Sequence, residues 1–285
     1  MTGTPHTLRD GEVAAPRGLP DGVAGVDGGL TLTKSVAVRD GRMCLRARAT
    51  GDPAGALEAV LAARVVGVTG ARPPGLRGPR AVTVPEIDAG ARGVLLLMPA
   101  LAAQPFVLAL LGTGTAFALV RDGTATHLGG TALGGGSFAG IARRIEPSLS
   151  YEELVTRAER GDRRNADLMI ADAYAGGVGR IGPDLTAAHL AREGGSPDDV
   201  LAALLNLHAE NIAQIAASRA LVAGAPRLVL AGGFVHGNGA LASGIIEMAQ
   251  RFRIETCVAP EPGFVGAIGA AAVAAEQIGM QGGSE

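Results

Sequence analysis

The sequence predicts an α/β protein with two lobes, each built on a mixed β-sheet that is flanked by helices. The main observation is a repeated pattern, since residues 22–69 and 106–233 both begin with hairpins closed by glycine turns and continue into helices. A second observation is the distribution of the 44 glycines, which lie between apolar runs as in turn-rich α/β proteins. We therefore expect two duplicated lobes with a cleft between them, in place of a simple doubly wound sheet.

Composition and charge argue against several functional classes. Hydrophobic residues make up 47% of the 285-residue chain, which suffices for a sizeable core. The net charge of −2 provides no general attraction to nucleic acid or to a membrane surface. Cys44 and Cys257 match no metal-binding spacing and indicate free thiols in a reducing compartment. No stretch has the pattern of a signal peptide, and prolines interrupt the longest apolar run, 94–111. We therefore expect a cytoplasmic protein without nucleic-acid or membrane partners.

The first lobe is predicted to span residues 21–105, after a polar, Pro- and Gly-rich segment, 1–20, that we expect to be mobile. Strands are predicted at 23–26, 31–38, 43–49, 65–69 and 82–84. Helices are predicted over 53–64 and 86–98. The basic segment 71–80 is either a solvated connection or a flap beside an anionic ligand.

The second lobe is predicted to span residues 106–285. Strands are predicted at 106–111, 116–121, 227–230 and 254–258, and helices at 151–160, 165–174, 197–222, 239–251 and 263–277. Ser150-x-x-Glu153 is a capping-box pattern for the first of these helices, and Ser196 is the expected cap of the longest. That longest helix has one continuous apolar face, which packs either within the lobe or against a second subunit.

Two glycine-rich turns flank the first hairpin of the second lobe. They are Gly112-Thr113-Gly114-Thr115 and the run from Gly129 to Gly136. Because glycine lacks a Cβ atom, the N–H groups of such turns can approach an anion closely. The pattern indicates a cradle for a phosphorylated ligand, although a pair of tight turns in an α/β core has the same signature.

A related turn occurs in the first lobe, where a strand leads Asp27 into Gly28-Gly29. A carboxylate at this place can hold the hydration shell of Mg²⁺, and Thr31 and Lys34 would then face the phosphates. A plain hairpin turn with Asp and Gly is the alternative.

Taken together, the order and spacing of these motifs resemble the type II pantothenate kinases, which have the actin-like ATPase (acetate/sugar kinase–Hsp70–actin, ASKHA) fold. The matching segments are 27–34, 86–89, 112–115, 129–138, 160–162, 167–177, 231–234 and 263–269. The resemblance implies transfer of the ATP γ-phosphoryl group to a primary hydroxyl of pantothenate, in coenzyme A biosynthesis. It also implies a homodimer, with an acyl-CoA as a candidate further ligand.

The resemblance also implies roles for individual residues. Glu86 matches the catalytic glutamate that accepts the proton of the attacking hydroxyl, although the helix dipole also favours an acid at a helix N-terminus. The residues implied for ATP and phosphate binding are Asp27, Gly28, Gly29, Thr31, Lys34, Gly134, Gly135, Gly136, Gly232 and Gly233. Within this set, Asp27 would organise Mg²⁺ through water, and the last two glycines would lie near the adenine. The residues implied for acceptor binding are Thr113, Gly114, Thr115, Ala116 and His127.

Three positions depart from the family pattern. Leu30 replaces the second glycine of the Asp-x-Gly-Gly-Thr loop, and Ala116 stands where the family commonly has serine. His127 stands where the family usually has an arginine that grips the pantothenate carboxylate, and histidine lacks both the permanent charge and the bidentate fork. The acceptor is therefore either pantothenate or a relative without the carboxylate, such as pantetheine or a specialised metabolite.

Two other classes remain as alternatives. A non-catalytic nucleotide or acyl-CoA sensor is supported by Leu30. A sugar kinase of the ROK group is disfavoured because that group usually carries a zinc-binding cysteine cluster, and the two isolated cysteines also disfavour the iron–sulfur activator ATPases of this fold. Histidines 189, 208 and 236 have no metal-binding spacing and are expected to be structural or surface residues.

Overall fold

Two mixed β-sheets with equivalent topology form the framework of the protein. The computed structural model describes residues 10–71, 73, 76, 80–179 and 181–279. The strands of the first sheet are β1 (Gly11–Ala14), β2 (Val23–Gly28), β3 (Leu32–Arg39), β4 (Arg42–Ala49), β5 (Val65–Gly70) and β6 (Ala81–Thr83). Those of the second are β7 (Phe106–Leu111), β8 (Thr115–Arg121), β9 (Thr124–Thr131), β12 (Arg227–Ala231) and β13 (Glu255–Val258). A small third sheet pairs β10 (Leu168–Met169) with β11 (Thr186–Ala188).

The strand order reveals the predicted duplication. In the first sheet the order β4-β3-β2-β5-β6 combines an antiparallel meander with two parallel strands. The second sheet repeats it as β9-β8-β7-β12-β13, again with the meander first and the two parallel strands after it. The predicted fold class, two duplicated mixed sheets flanked by helices, is confirmed.

Eight α-helices surround the sheets in the described part of the chain. They are α1 (Ala54–Leu57), α2 (Glu86–Leu97), α3 (Gly135–Ile145), α4 (Tyr151–Arg160), α5 (Ile170–Ala173), α6 (Pro197–Ala223), α7 (Gly239–Arg251) and α8 (Val265–Gln277). The two caps predicted for α4 and α6 are confirmed. Ser150 and Glu153 form a reciprocal capping box at the start of α4, and the hydroxyl of Ser196 accepts the Asp199 N–H at the start of α6.

The structure differs from the sequence prediction at three places. The predicted mobile segment 1–20 contains β1, because its backbone pairs with β4 as an edge strand; residues 1–9 lie outside the described part. The predicted helix 53–64 is reduced to α1 and one 3₁₀ turn, Glu58–Val60, before the chain enters β5. The predicted helix 165–174 is mostly replaced by β10 and the single turn of α5, since β10 pairs with β11.

The helices α2 and α8 cross between the two sheets. Although α2 follows the last strand of the first sheet, its Ala91 and Val94 pack against the second sheet. Conversely, α8 follows the last strand of the second sheet and packs against β2 and β5 of the first. By packing, therefore, α8 lies with the first sheet, whereas the predicted second lobe, 106–285, included it; the lobe boundaries stay a prediction.

Glycine permits the close packing of α8. A Cβ atom added to Gly25 on β2 would lie 1.8 Å from the carbonyl oxygen of Ala267, and one added to Gly67 on β5 would lie 1.9 Å from that of Ala270. A Cβ atom on Gly269 of α8 would similarly lie 1.7 Å from the carbonyl oxygen of Ala89 on α2. Helix backbone therefore contacts strand backbone directly beneath the cleft.

The longest helix, α6, lies on the outer side of the second sheet. It packs against α4, α7 and the sheet, and its apolar residues are buried in the main hydrophobic cluster. Among the described helices, α6 is the one long and apolar enough to cross a membrane, and more than half of its most apolar stretch is buried inside the protein, as in the core helix of a globular fold. The apolar face of α6 therefore packs against the interior of the lobe, which was one of its two predicted partners.

Candidate active site

A cavity of about 880 Å³ opens between the two sheets and is lined by residues of both. All but two of the predicted site residues lie in its wall. Those in the wall are Asp27, Gly28, Gly29, Thr31, Lys34, Glu86, Thr113, Gly114, Thr115, Ala116, Gly135, Gly136, Gly232 and Gly233. Gly134 and His127 are the two that do not line it. The cavity thus brings together segments that are more than 200 residues apart in the chain.

One wall carries a paired acid and base. Asp27 on β2 lies directly opposite Lys34 on β3, and the Lys34 Nζ atom lies 2.5 Å from Asp27 Oδ2. Their side chains are 14% and 13% exposed. Gly266 at the start of α8 packs beside this carboxylate, where an added Cβ atom would lie 3.2 Å from Asp27 Oδ2. The carboxylate is therefore held at the cavity wall with one oxygen bound to the lysine.

The tips of two hairpin turns meet at the cavity. The Oγ1 atom of Thr31, between β2 and β3, lies 3.1 Å from the Oγ1 atom of Thr113, between β7 and β8. Within the described part of the chain, the backbone N–H groups of Leu30, Thr31, Thr113 and Gly114 donate no hydrogen bond. Because one of these two hydroxyls donates to the other, four amide donors and one hydroxyl hydrogen are available for an anion at this point.

The amides of the glycine run before α3 make hydrogen bonds within the protein. The N–H groups of Gly135 and Gly136 donate to the carbonyl oxygens of Gly112 and Thr113, at 2.8 and 2.9 Å. The Gly134 N–H donates to Ser137 Oγ at 3.0 Å. These amides are already used within the protein, so the run clamps the start of α3 onto the neighbouring turn. The free donors lie in the hairpin tips instead.

Glu86 is the first residue of α2, and its side chain is exposed to the cleft. Partial burial among the cleft walls, together with the charge of Asp27, raises the pKa of this carboxyl above its ordinary value. Lys34 and His127 oppose the shift. A carboxylate whose pKa is raised binds a proton more readily, which is the property required of a general base near neutral pH.

The two divergent acceptor-side positions are separated by the structure. Ala116 on β8 lines the cavity. His127 lies on the edge strand β9, opposite Ala118, where it is exposed. It is near enough to Glu86 to influence the pKa of that carboxyl. His127 therefore does not line the cavity, and its contact with an acceptor stays a prediction.

A buried histidine of α6 contacts the first turn of α3, a helix that lines the cavity. His208 on α6 is fully buried, and burial lowers its pKa, so the ring is neutral. Its Nδ1 atom lies 2.8 Å from the Leu204 carbonyl oxygen and its Nε2 atom 2.8 Å from Ser137 Oγ. We assign the proton to Nδ1, because a carbonyl only accepts, and Nε2 then accepts the hydroxyl proton of Ser137. The expectation that this histidine is structural agrees with these bonds.

Sequence reasoning missed several residues of the wall. Arg143, Tyr151 and Phe234 line the cavity, as do Pro262 and Gly263. Helical spacing could have revealed the first of these, because position 143 follows Gly136 and Ala139 on one face of α3. No sequence signal pointed to Tyr151, which is 4% exposed and also packs edge-to-face against Phe138.

The chain resembles several characterised proteins. The family model described as Fumble matches residues 99–273. A type II pantothenate kinase of Oceanobacillus iheyensis is 30% identical over 202 residues, which are 68% of this chain and 76% of that protein. Pantothenate kinase 1 of Arabidopsis thaliana is 30% identical over 181 residues, 58% of this chain but 47% of the plant protein. The chain therefore spans about three quarters of the bacterial relative and about half of the plant one.

Solved structures share the fold. Component A of the (R)-2-hydroxyglutaryl-CoA dehydratase of Acidaminococcus fermentans superposes with a TM-score of 0.66 at 19% identity, covering 90% of this chain and 98% of that one. A ROK family glucokinase from Streptomyces griseus, in complex with glucose and AMPPNP, superposes with a TM-score of 0.61 at 14% identity, covering 89% and 99%. At these identities the likeness concerns the fold alone.

Proposed function

The chain belongs to the Fumble family of type II pantothenate kinases, and from that premise we propose that it transfers the γ-phosphoryl group of ATP to a primary hydroxyl of pantothenate or a close relative. One observation carries the proposal. Glu86, with its raised pKa, lines the same cavity as the Asp27–Lys34 pair and the two hairpin tips. A proton acceptor and a set of hydrogen-bond donors that can bind phosphate thus line one cavity.

The hairpin tips are proposed to hold the phosphates of ATP. The free N–H groups of Leu30, Thr31, Thr113 and Gly114 provide the donors, together with the one hydroxyl hydrogen that the bond between the two threonines leaves unused. Phosphoryl transfer passes through a loose transition state with charge spread over the equatorial oxygens. Fixed donors at this place would stabilise that charge without reorganisation, which is the main way in which such a protein lowers the barrier.

Mg²⁺ fits the donor set beside the tips. Among the described residues, no group of three or more His, Cys, Asp or Glu side chains is arranged to hold a metal. Mg²⁺ does not need one, because it usually binds through one or two carboxylates, several waters and the substrate phosphates. Asp27 would hold the ion through water, and the ion would neutralise charge on the phosphates. Lys34 holds one oxygen of this carboxylate, Oδ2.

Glu86 is proposed to accept the proton of the acceptor hydroxyl. As the hydroxyl oxygen forms its bond to the γ-phosphorus, the bond from that phosphorus to the bridging oxygen breaks and ADP leaves. The hydroxyl proton passes to the Glu86 carboxylate at the same stage. The charge of Asp27 and the partial burial of Glu86 both make its carboxylate a better proton acceptor.

Two divergent positions bear on the identity of the acceptor. Ala116 provides no hydroxyl in the wall, and His127 lies outside it on β9. If the acceptor lacks a carboxylate, then pantetheine should be phosphorylated faster than pantothenate, and His127→Arg should gain activity on pantothenate. ADP release would be measured with each alcohol in turn. Faster turnover of pantothenate, unchanged in His127→Arg, would contradict an acceptor without a carboxylate.

A non-catalytic nucleotide or acyl-CoA sensor is the second candidate. It is supported by Leu30, which is 82% exposed at the tip that is proposed to meet the phosphates. Isothermal titration with ATP and acyl-CoA, beside ADP release in the wild type and Glu86→Ala, separates the two functions. Binding of nucleotide without turnover in either protein would favour the sensor.

The family also suggests a cytoplasmic homodimer that interacts with acyl-CoA thioesters, and we include these in the proposal. The buried face of α6 does not provide the dimer contact, because it packs inside the protomer. The exposed C-terminal end of the same helix is available, with Leu221 56% and Val222 92% exposed.

A further inference from the structure

We propose that Arg143 binds the nucleoside half of ATP, with its guanidinium stacked on the face of the purine. This inference rests on the proposed function and assigns a residue to the end of the cavity away from the phosphates. Three features of the cavity lead to it: the position of Arg143 on α3, its lack of an acidic partner, and the small residues around it.

The position of Arg143 suits the nucleoside and not the phosphates. Helix α3 begins against the turn that carries the free amides of Thr113 and Gly114. Arg143 follows Gly136 by seven residues, or about 10 Å along the helix at 1.5 Å per residue. A nucleotide whose phosphates lie at the hairpin tips and whose base extends along α3 would reach the level of Arg143.

The guanidinium of Arg143 has no partner within the described part of the chain. Four charged residues line the cavity: Asp27, Glu86, Lys34 and Arg143. The lysine is bound to Asp27. Arg143 makes no ion pair and no hydrogen bond with a described residue, whereas the neighbouring Arg144 donates to the Gly140 carbonyl oxygen at 2.5 Å. A half-buried arginine in a cavity wall is suited to stack on an aromatic face, because the guanidinium is planar and weakly hydrated.

The wall beside Arg143 has the shape that a flat ring requires. Ala139 and Gly140 precede Arg143 on the cavity-facing side of α3, and neither has a side chain beyond Cβ. Gly232 and Gly233 line the same cavity, and a Cβ atom added to Gly233 would meet nothing within 4 Å. These small residues leave room in the cavity for a flat ring. Stacking contacts do not read the edge of a base, so the contribution of Arg143 should be similar for ATP and GTP.

The test compares Arg143 with its neighbour on the same helix. Arg143→Ala, Arg143→Met, which keeps the apolar stem, and the control Arg144→Ala would be titrated calorimetrically with a non-hydrolysable ATP analogue, its GTP counterpart and inorganic tripolyphosphate. We expect both Arg143 variants to bind each nucleoside triphosphate roughly 5- to 30-fold more weakly than the wild type does. Binding of tripolyphosphate, and all binding by Arg144→Ala, should match the wild type.

Three outcomes would overturn the assignment. An equal loss for tripolyphosphate would place Arg143 on the phosphates, and unchanged nucleotide affinity would remove it from the site. A loss confined to one of the two purines would indicate edge recognition in place of stacking. In each case the wild type would still bind ATP, so the proposed function would stand. Absence of ATP binding by the wild type would instead overturn the proposed function together with this inference.

Discussion

At the residue scale, Glu86 illustrates how the site opposes the preference of its own helix. An acid in the first turn of a helix is normally stabilised by the helix dipole. Here partial burial in the cleft and the nearby charge of Asp27 outweigh the opposing charges of Lys34 and His127 and raise the pKa of the carboxyl. The folded protein therefore holds this carboxylate at a cost in stability, as expected for a residue that is retained for its chemistry.

This cost predicts a pH-dependent effect of Glu86→Gln on stability. The folded-state pKa lies above the ordinary value of 4.5, so the protonated form is favoured in the folded state. The stabilising contribution of Glu86 is fully present below the unfolded pKa and is lost as the pH rises through the folded pKa. Replacing the ionisable carboxyl by the neutral amide of Glu86→Gln should therefore raise Tm at pH 8, and this gain in Tm should disappear near pH 4.

Thermal melts of wild type and Glu86→Gln across this pH range would test the prediction. Asp88→Asn is the matched control, because Asp88 is also an exposed acid in the first turn of α2. A gain in Tm that is equal at all pH values, or a loss at pH 8, would contradict the assigned direction of the pKa shift.

At the element scale, the contact of α8 with β2 and β5 depends on the absence of side chains. Cβ atoms on Gly25 or Gly67 would overlap backbone oxygens of α8, at 1.8 and 1.9 Å. A backbone atom cannot rotate away, so the whole helix would have to shift. Because α8 also carries Gly266 beside Asp27, such a shift would disturb the cavity wall as well as the core.

We therefore predict that Gly67→Ala lowers the free energy of unfolding. Overpacking typically costs about 1–3 kcal/mol, and a clash with backbone atoms should place this variant at or above the upper end of that range. Chemical denaturation measures the change in the free energy of unfolding. Gly51→Ala is the control, because a Cβ atom there would meet nothing within 4 Å. Equal stability of the two variants would show that α8 does not pack as closely as described.

Elements were predictable where their determinants are local. Helices α4 and α6 were found because Ser150 and Ser196 cap them within three residues. The strand β1 was missed because only its pairing with β4, some 30 residues away, makes it a strand. The same division applies to the site. Its turns could be recognised from their glycines, but the position of His127 outside the cavity depends on the path of an edge strand.

At the scale of the whole molecule, the two sheets are joined by the exchange of their helices. α2 connects the first sheet to the second, α8 returns from the second to the first, and both ends of the exchange reach the cavity through Glu86 and Gly266. The hydroxyls of Thr31 and Thr113 meet across the cavity at 3.1 Å. Hydrogen-bond donors that can bind phosphate, from both sheets, and the proton acceptor Glu86 thus line one cavity. The proposed function depends on this arrangement.

Direct transfer of phosphate tests this claim. The purified protein would be incubated with ATP labelled at the γ-phosphate, Mg²⁺ and either pantothenate or pantetheine, and the products separated. We predict label in one of the alcohols for the wild type and for Asp88→Asn, and a rate lower by roughly 10²- to 10⁴-fold for Glu86→Gln with nucleotide binding retained. ATP bound without label in either alcohol, or equal transfer by Glu86→Gln, would contradict the account.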